Sequence, residues 1–392
     1  MQKIFCLGLH KTGSTSLQRF FLDNQVALAR SGMLVPPVTP EATARFIAEL
    51  MGRPQGARPP RVNEYMAHNA LAYQMLAEAV PAMSLPAVHA PMGSAESVLK
   101  MTATLAEQVQ ARSVVFCSED LPRASLVASR VPERFARALR RRDTVLFAIL
   151  RRPDEAISAW QSQRLRFGRP FAPVRNTGLA AYRGTVHLEY KAALEPWLHA
   201  FPSATVRFLP YDFALRRGGS VRAFRALDPL VFLPNGLVAP PHVNPGMPNA
   251  LIEIARRGLA ALPAAQARGL IHFLAGLGAV IDLPPNDEVD LLGPEMRAGL
   301  MRCFDETHHW LSQVSGRIPF FADLDDMLRP RRWSDVTAAA EMLGAVRDLA
   351  RDAGLSTQVQ AFLAELDRTG LGGRAPVVAG TSVGADLPGS GM

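Results

Sequence analysis

Cysteine is scarce in this chain, and long apolar segments are absent from it. Its 392 residues include only Cys6, Cys117 and Cys303, whose spacing gives neither a CxxC metal pair nor a disulfide framework. This usage is typical of a reducing compartment and predicts a cytoplasmic location.

No run approaches the ~18 to 20 apolar residues of a membrane-spanning helix. The N-terminal IFCLGL is too short for the apolar core of a secretory signal. We therefore expect no membrane insertion.

Motifs of nucleic-acid recognition are also missing. The sequence has no zinc-finger, homeodomain or RNA-binding signature and no basic stripe interleaved with aromatic residues. The formal net charge of the chain is nevertheless +8. Because excess positive charge favours anionic ligands, we expect a small anion bound in a cleft rather than a nucleic-acid partner.

Short apolar runs alternate with segments of helical periodicity along most of the chain. Such alternation predicts an α/β fold with a parallel sheet that is covered by helices on both faces. The predicted strands are 3–9, 113–117, 144–150 and 205–209. The predicted helices are 15–30, 40–51, 63–80, 93–111, 132–142, 153–166, 187–201, 249–275 and 294–315.

The composition changes after Pro330. Residues 334–368 have the pattern of two amphipathic helices, and the chain beyond them is rich in Gly, Ser and Pro. The predicted organisation is an α/β domain over 1–330, a helical C-terminal extension over 331–368 and a disordered tail over 369–392.

The stretch LGLHKTGSTSLQRFF, residues 7–21, joins the first predicted strand to the first predicted helix. Gly8 and Gly13 have the spacing of a phosphate-binding P-loop, whose backbone N–H groups form an anion cradle at a helix N-terminus. In nucleoside-triphosphate enzymes a lysine follows the second glycine, but here Ser14 occupies that position and the lysine is Lys11. Ser14 cannot neutralise a triphosphate. The pattern predicts a cradle for one phosphate, with Lys11 reaching a second group.

This loop resembles the 5′-phosphosulfate loop of sulfotransferases, particularly the bacterial ones. Those enzymes take a sulfuryl group from 3′-phosphoadenosine 5′-phosphosulfate (PAPS), which carries a single 5′-phosphate. The resemblance implies a P-loop fold, PAPS as the sulfuryl donor and no metal. It also implies that Lys11 stabilises the bridging oxygen as the sulfuryl group leaves. The loop residues expected to bind PAPS are Lys11, Thr12, Gly13, Ser14, Thr15 and Ser16.

The resemblance implies a second motif, an arginine at the end of a later strand and a serine in the next helix. Both would bind the 3′-phosphate of PAPS. The stretch VLFAILRRPDEAISAW fits, with Arg151 or Arg152 as the arginine and Ser158 as the serine. An arginine fork and a hydroxyl near a helix start suit a dianionic phosphate. The resemblance extends from residue 1 to about 325.

Transfer to a hydroxyl requires a base for the acceptor proton. Glu119 follows a predicted strand, and open parallel sheets bind ligands at the carboxyl ends of their strands. Some carbohydrate sulfotransferases use a glutamate as base and other members use a histidine, so the resemblance makes Glu119 the first candidate and His10 the second. His68, His187 and His242 are weaker candidates, and Cys117 is expected in the core.

The acceptor would be a hydroxyl or an amine, of a carbohydrate or a small metabolite. Arginines crowd one region that could shape its pocket, which favours an anionic acceptor. These arginines are Arg164, Arg166, Arg169, Arg175 and Arg183.

Two other functions are compatible with the sequence. A P-loop kinase or ATPase would use Asp120 to hold Mg²⁺, although Ser14 in place of lysine argues against it. A non-catalytic nucleotide-binding scaffold would use the C-terminal helices for docking.

Overall fold

The computed structural model describes residues 1–53, 62–89, 91–139, 143–228, 231–240 and 246–371. The strands are β1 Gln2–Cys6, β2 Met33–Leu34, β3 Ser113–Cys117, β4 Thr144–Leu150, β5 Thr205–Pro210, β6 Val289–Asp290 and β7 Trp333–Ser334. The first helices are α1 Ser14–Asp23, α2 Gln25–Arg30, α3 Pro40–Leu50, α4 Val62–Tyr65, α5 Ala67–Ala79, α6 Ala95–Gln108, α7 Asp120–Val127, α8 Val131–Ala138 and α9 Pro153–Arg166. The later helices are α10 Val174–Thr177, α11 Tyr190–Ala200, α12 Tyr211–Arg216, α13 Ser220–Arg225, α14 Ile252–Ala261, α15 Ala264–Gly276, α16 Pro294–Ser315, α17 Asp335–Asp352 and α18 Thr357–Thr369. Short 3₁₀ segments cover Leu179–Tyr182, Asn249–Leu251, Leu277–Ala279, Asn286–Glu288 and Leu324–Leu328.

A parallel sheet of five strands, in the order β2-β3-β1-β4-β5, forms within the described residues. The predicted α/β class and parallel sheet are therefore confirmed. Strand β1 lies between β3 and β4, so the carboxyl ends of these three strands share one edge of the sheet.

Alternate side chains of β1 enter two different cores. Ile4 and Cys6 pack in one cluster with Phe20 and Phe21 of α1 and with Phe224 of α13. On the opposite face, the Phe5 ring stacks on Phe116 and contacts Phe135 of α8 and Trp197 of α11. Because successive strand side chains point to opposite faces, helices cover the sheet on both sides, as the sequence predicts.

The described chain divides into two compact units. The first, the sheet unit, comprises residues 1–152, 184–243 and 306–322 and contains the parallel sheet. The second, the helical unit, comprises 153–183, 244–305 and 323–392. This division follows spatial contacts rather than sequence order, whereas the predicted boundaries at 330 and 368 stay a prediction.

The helical unit contains α9, α14, α15, α17 and α18, of which α17 packs against α14 and α18. Its interior holds buried charge pairs as well as apolar side chains. Arg256 donates two hydrogen bonds to Glu253, and Arg297 contacts Asp154 at 3.1 Å. Helices α17 and α18 confirm the predicted helical C-terminal part.

Several element boundaries differ from the prediction. The predicted helix 15–30 is interrupted at Asn24, because the Asn24 amide group bonds to the carbonyls of Phe20 and Val238. The predicted strand 3–9 ends at Cys6, and the residues that follow form the loop. The predicted helix 63–80 divides into α4 and α5.

The predicted disordered tail begins at Thr369, which is the last residue of α18. Residues 372–392 of that tail lie outside the described residues. Among the helices that the structure describes, none combines the length and the apolar character that crossing a membrane requires.

Candidate functional site

Three neighbouring strands bring the predicted site residues of the sheet unit to one edge of the sheet. The loop with Lys11 follows β1, Glu119 follows β3, and Arg151 and Arg152 follow β4. The carboxyl edge of a parallel sheet is where open α/β folds bind their ligands. The candidate site therefore lies at the carboxyl ends of β3, β1 and β4.

The loop between β1 and α1 has a strained backbone. Lys11 has φ of 61°, which is uncommon for a residue with a Cβ atom, and Gly13 at the N-cap of α1 has φ of 89°. The Thr12 hydroxyl donates to the Leu9 carbonyl at 2.6 Å and so holds the loop closed. Left-handed residues just before a helix N-terminus help to present backbone N–H groups to an anion. Strain of this kind collects at ligand-binding sites.

Ser220, at the start of α13, supports the loop from outside. Its hydroxyl donates to the Gly13 carbonyl at 2.8 Å, and a Cβ atom added to Gly13 would come within 2.7 Å of the Ser220 oxygen. Gly13 is therefore required both by its backbone conformation and by this close approach. Sequence reasoning missed Ser220, because it lies 207 residues from its partner and no local motif marks it.

Glu119 contacts two residues of the loop. The Ser14 hydroxyl donates to one carboxylate oxygen of Glu119, and Nδ1 of His10 lies 3.7 Å from the other. Burial alone would raise the pKa of Glu119, but the interactions with His10, Ser14 and Lys11 lower it below its ordinary value. The carboxyl is thus ionised at neutral pH. The structure brings Glu119 and His10, the two candidate bases, together.

The other histidines have different surroundings. The His187 ring lies 5.6 Å from the His10 ring, centroid to centroid, and so extends the same cluster. His68 is buried: its Nδ1 accepts from the Cys117 backbone N–H, and its Nε2 faces the Pro36 carbonyl. Burial lowers the His68 pKa to about 4, which makes it a neutral structural residue. His242 lies outside the described residues.

Asp120, next to Glu119, belongs to a separate network. Its carboxylate lies 3.4 Å from the Arg123 guanidinium, which also donates to the Tyr73 hydroxyl. Burial raises the Asp120 pKa against the opposing effect of Arg123. Asp120 therefore has its own protein partners. Within the described ranges, no three or more His, Cys, Asp or Glu side chains group as metal ligands would.

The predicted 3′-phosphate residues fall in both units. Arg151 and Arg152 end the first segment of the sheet unit, and Ser158 lies on α9 in the helical unit. The Arg151 guanidinium lies 4.4 Å from the Tyr211 ring centroid. The backbone carbonyl of Arg151 accepts a hydrogen bond from the Tyr190 hydroxyl. Arg152 is buried, whereas Ser158 is half-buried and donates to the Asp154 carbonyl.

The five arginines predicted to favour an anionic acceptor all lie in the helical unit. Arg164 is buried with its guanidinium 4.3 Å from the Phe171 ring centroid, and Arg175 pairs with Asp335. Arg166, Arg169 and Arg183 are exposed. The group is therefore divided between structural and solvent-facing residues, and the anionic acceptor stays a prediction.

Comparisons of this chain with protein-family models, with curated proteins and with solved structures found no match.

Proposed function

We propose that this protein is a PAPS-dependent sulfotransferase with a P-loop-type nucleotide site. The observation that carries the proposal is the meeting of Lys11, Ser14 and Glu119 at the carboxyl edge of the sheet. A strained loop at a helix N-terminus suits one phosphate, and a carboxylate beside that loop suits an acceptor proton.

The residues present fit the donor that the proposal requires. Backbone N–H groups of Gly13 to Ser16 lie at the start of α1, where a phosphate is electrostatically favoured. Lys11 supplies a cation within the loop itself, one residue before the Thr12 hydroxyl that closes it. PAPS would contribute a sulfuryl group on a phosphosulfate anhydride, which is the bond to be broken.

Lys11 would act on the leaving side of the reaction. As the acceptor oxygen bonds to sulfur, the bond from sulfur to the bridging oxygen breaks, and its electron pair stays on that oxygen. A cation held in a fixed loop stabilises this developing charge without reorganising. The strained backbone of Lys11 is consistent with such preorganisation.

Glu119 would take the acceptor proton. Its lowered pKa keeps it ionised, and Ser14 and His10 hold its two oxygens. His10 is the positioning residue in this arrangement. If instead His10 takes the proton, Glu119 orients the imidazole through Nδ1. In either case we expect Glu119→Gln and His10→Asn to lose activity.

Nucleotide-induced stabilisation tests the proposal. We expect adenosine 3′,5′-bisphosphate, the desulfated product, to raise the melting temperature without Mg²⁺, and Lys11→Ala to reduce that shift only slightly. Stabilisation by Mg-ATP but not by the bisphosphate would overturn the proposal in favour of a kinase or ATPase. Stabilisation by the bisphosphate without any turnover of PAPS across a panel of alcohols, amines and glycans would favour the scaffold.

The environment of Asp120 disfavours the kinase alternative. That function requires an acidic residue after β3 to hold Mg²⁺ near the loop. The Asp120 carboxylate instead contacts Arg123, and Glu119 is engaged by Ser14 and His10.

A further inference from the structure

A basic cavity lies in the sheet unit, formed by the edge strand β5, the helices α12 and α13, and residue 317. Its volume is about 520 Å³. Three of its lining residues are arginines: Arg207 from β5, Arg217 from the end of α12, and Arg317. None of them belongs to the predicted PAPS site.

Two of these arginines share one aromatic ring. The guanidinium carbons of Arg217 and Arg317 lie 4.1 and 4.0 Å from the centroid of the Phe213 ring. The ring fixes both side chains at the cavity, because a guanidinium is attracted to an aromatic face. Burial and the charge of Arg217 both lower the pKa of Arg317.

Like charges brought together need a counter-charge. Among the described residues, no carboxylate lies within ion-pairing distance of Arg207, Arg217 or Arg317, whereas the neighbouring Arg216 pairs with Asp212. Asp228 lines the same cavity without forming such a pair. Two cations that contact one ring without a counter-ion cost electrostatic energy, and a bound anion would relieve their repulsion.

We propose that this cavity, the Arg207–Arg217–Arg317 cavity, is a second anion site that binds phosphate or sulfate groups. Planar guanidinium groups suit these oxyanions because they donate parallel hydrogen bonds to two oxygens. The volume exceeds what one tetrahedral anion needs, so we expect two linked groups to bind more tightly than one. The proposal does not depend on the sulfotransferase assignment.

Calorimetric titration with inorganic pyrophosphate tests the site, with orthophosphate as the single-group probe and constant ionic strength. We expect pyrophosphate to bind the parent protein at least tenfold more tightly than orthophosphate does. Arg217→Gln and Arg317→Gln should each weaken pyrophosphate binding by tenfold or more. Asp228→Asn should strengthen it. Arg216→Gln, which neutralises a paired arginine next to the cavity, should leave it within twofold.

Two further measurements distinguish anion binding in this cavity from binding at the loop site and from a purely structural role of the arginines. Lys11→Ala should retain pyrophosphate binding, since Lys11 belongs to the loop site; loss of binding in Lys11→Ala alone would overturn the proposal. If Arg217 and Arg317 only support the fold, their variants lower the melting temperature equally with and without pyrophosphate. If they bind the anion, the variants lose the temperature increase that pyrophosphate produces. Unchanged binding in both arginine variants would also overturn it.

Discussion

The hydroxyl of Ser14, the first residue of α1, donates a hydrogen bond to the carboxylate of Glu119. Ser14 occupies the position where a triphosphate-binding loop carries its lysine, and Glu119 follows the neighbouring strand β3. A lysine at position 14 would therefore face Glu119. The serine keeps the loop and the candidate base in direct contact.

Glu119→Gln should abolish most of the turnover while nucleotide binding remains. Removal of a general base costs typically about 10²- to 10⁴-fold in rate, and the amide preserves the shape of the side chain. The measurement is kcat with radiolabelled PAPS beside the affinity for adenosine 3′,5′-bisphosphate. Glu107→Gln, an exposed glutamate before β3, is the control. A Glu119→Gln protein with near-parent turnover would exclude Glu119 as the base.

The pH dependence of kcat/KM should reveal the environment of Glu119. Its pKa lies below the ordinary 4.5 because His10, Ser14 and Lys11 together outweigh the effect of burial. In the parent protein, the midpoint of the acid limb of this profile should therefore lie at a pH below 4.5. His10→Asn removes one of these interactions and should move the acid limb to higher pH. An unmoved limb would show that His10 does not act on the titrating group.

The lowered pKa of Glu119 also makes the free energy of unfolding depend on pH. Because the folded pKa of Glu119 is lower than its unfolded value, the contribution of the ionised carboxylate is present above the unfolded pKa. It is lost as the pH falls through the folded pKa.

His68 should make folding sensitive to mild acid. Its pKa falls from 6.5 to about 4 on folding, so the unfolded chain binds more protons between these values. The free energy of unfolding should then decrease as the pH falls from 6.5 towards 4, by about 3 kcal/mol at most. Urea titrations of parent and His68→Asn proteins check this difference. His199 is exposed, so the His199→Asn variant should keep the parent's dependence of the free energy of unfolding on pH. The same dependence in His68→Asn as in the parent would contradict the prediction.

The 3′-phosphate assignment predicts a nucleotide preference. If Arg151, Arg152 and Ser158 bind that group, adenosine 3′,5′-bisphosphate should bind at least about tenfold more tightly than AMP. A charge-assisted contact is worth roughly 1.5 to 3 kcal/mol. Arg152→Gln and Ser158→Ala should each reduce the preference, as measured by calorimetry. Equal affinities for the two nucleotides would remove all three residues from the proposed site.

Local patterns in the sequence were sufficient to predict most of the sheet. Strands β3 and β4 and helices α9 and α16 begin and end where their apolar patterns indicate. The two-residue strand β2 escaped prediction because two residues are too short to show a period. The break at Asn24 escaped it because the amide side chain bonds to Val238, 214 residues away.

The candidate site was predictable in its parts and unpredictable in its contacts. Strand order placed Lys11 and Glu119 at one edge, as expected for residues that follow parallel strands. The sequence offered Glu119 and His10 as alternatives, whereas the structure brings them within 3.7 Å of each other. Ser220 and the Arg207–Arg217–Arg317 cavity depend on packing between distant segments, which no local motif encodes.

Lys11→Ala tests most directly whether Lys11 stabilises the leaving group. The rate of release of adenosine 3′,5′-bisphosphate from PAPS is measured with the best acceptor of a screened panel, together with the affinity for that product. Lys100→Ala, an exposed lysine paired with Glu96, is the control. We predict a loss of turnover of about a hundredfold or more and a much smaller loss of product affinity, because the product lacks the sulfuryl group. A Lys11→Ala protein with near-parent sulfuryl transfer would contradict the account.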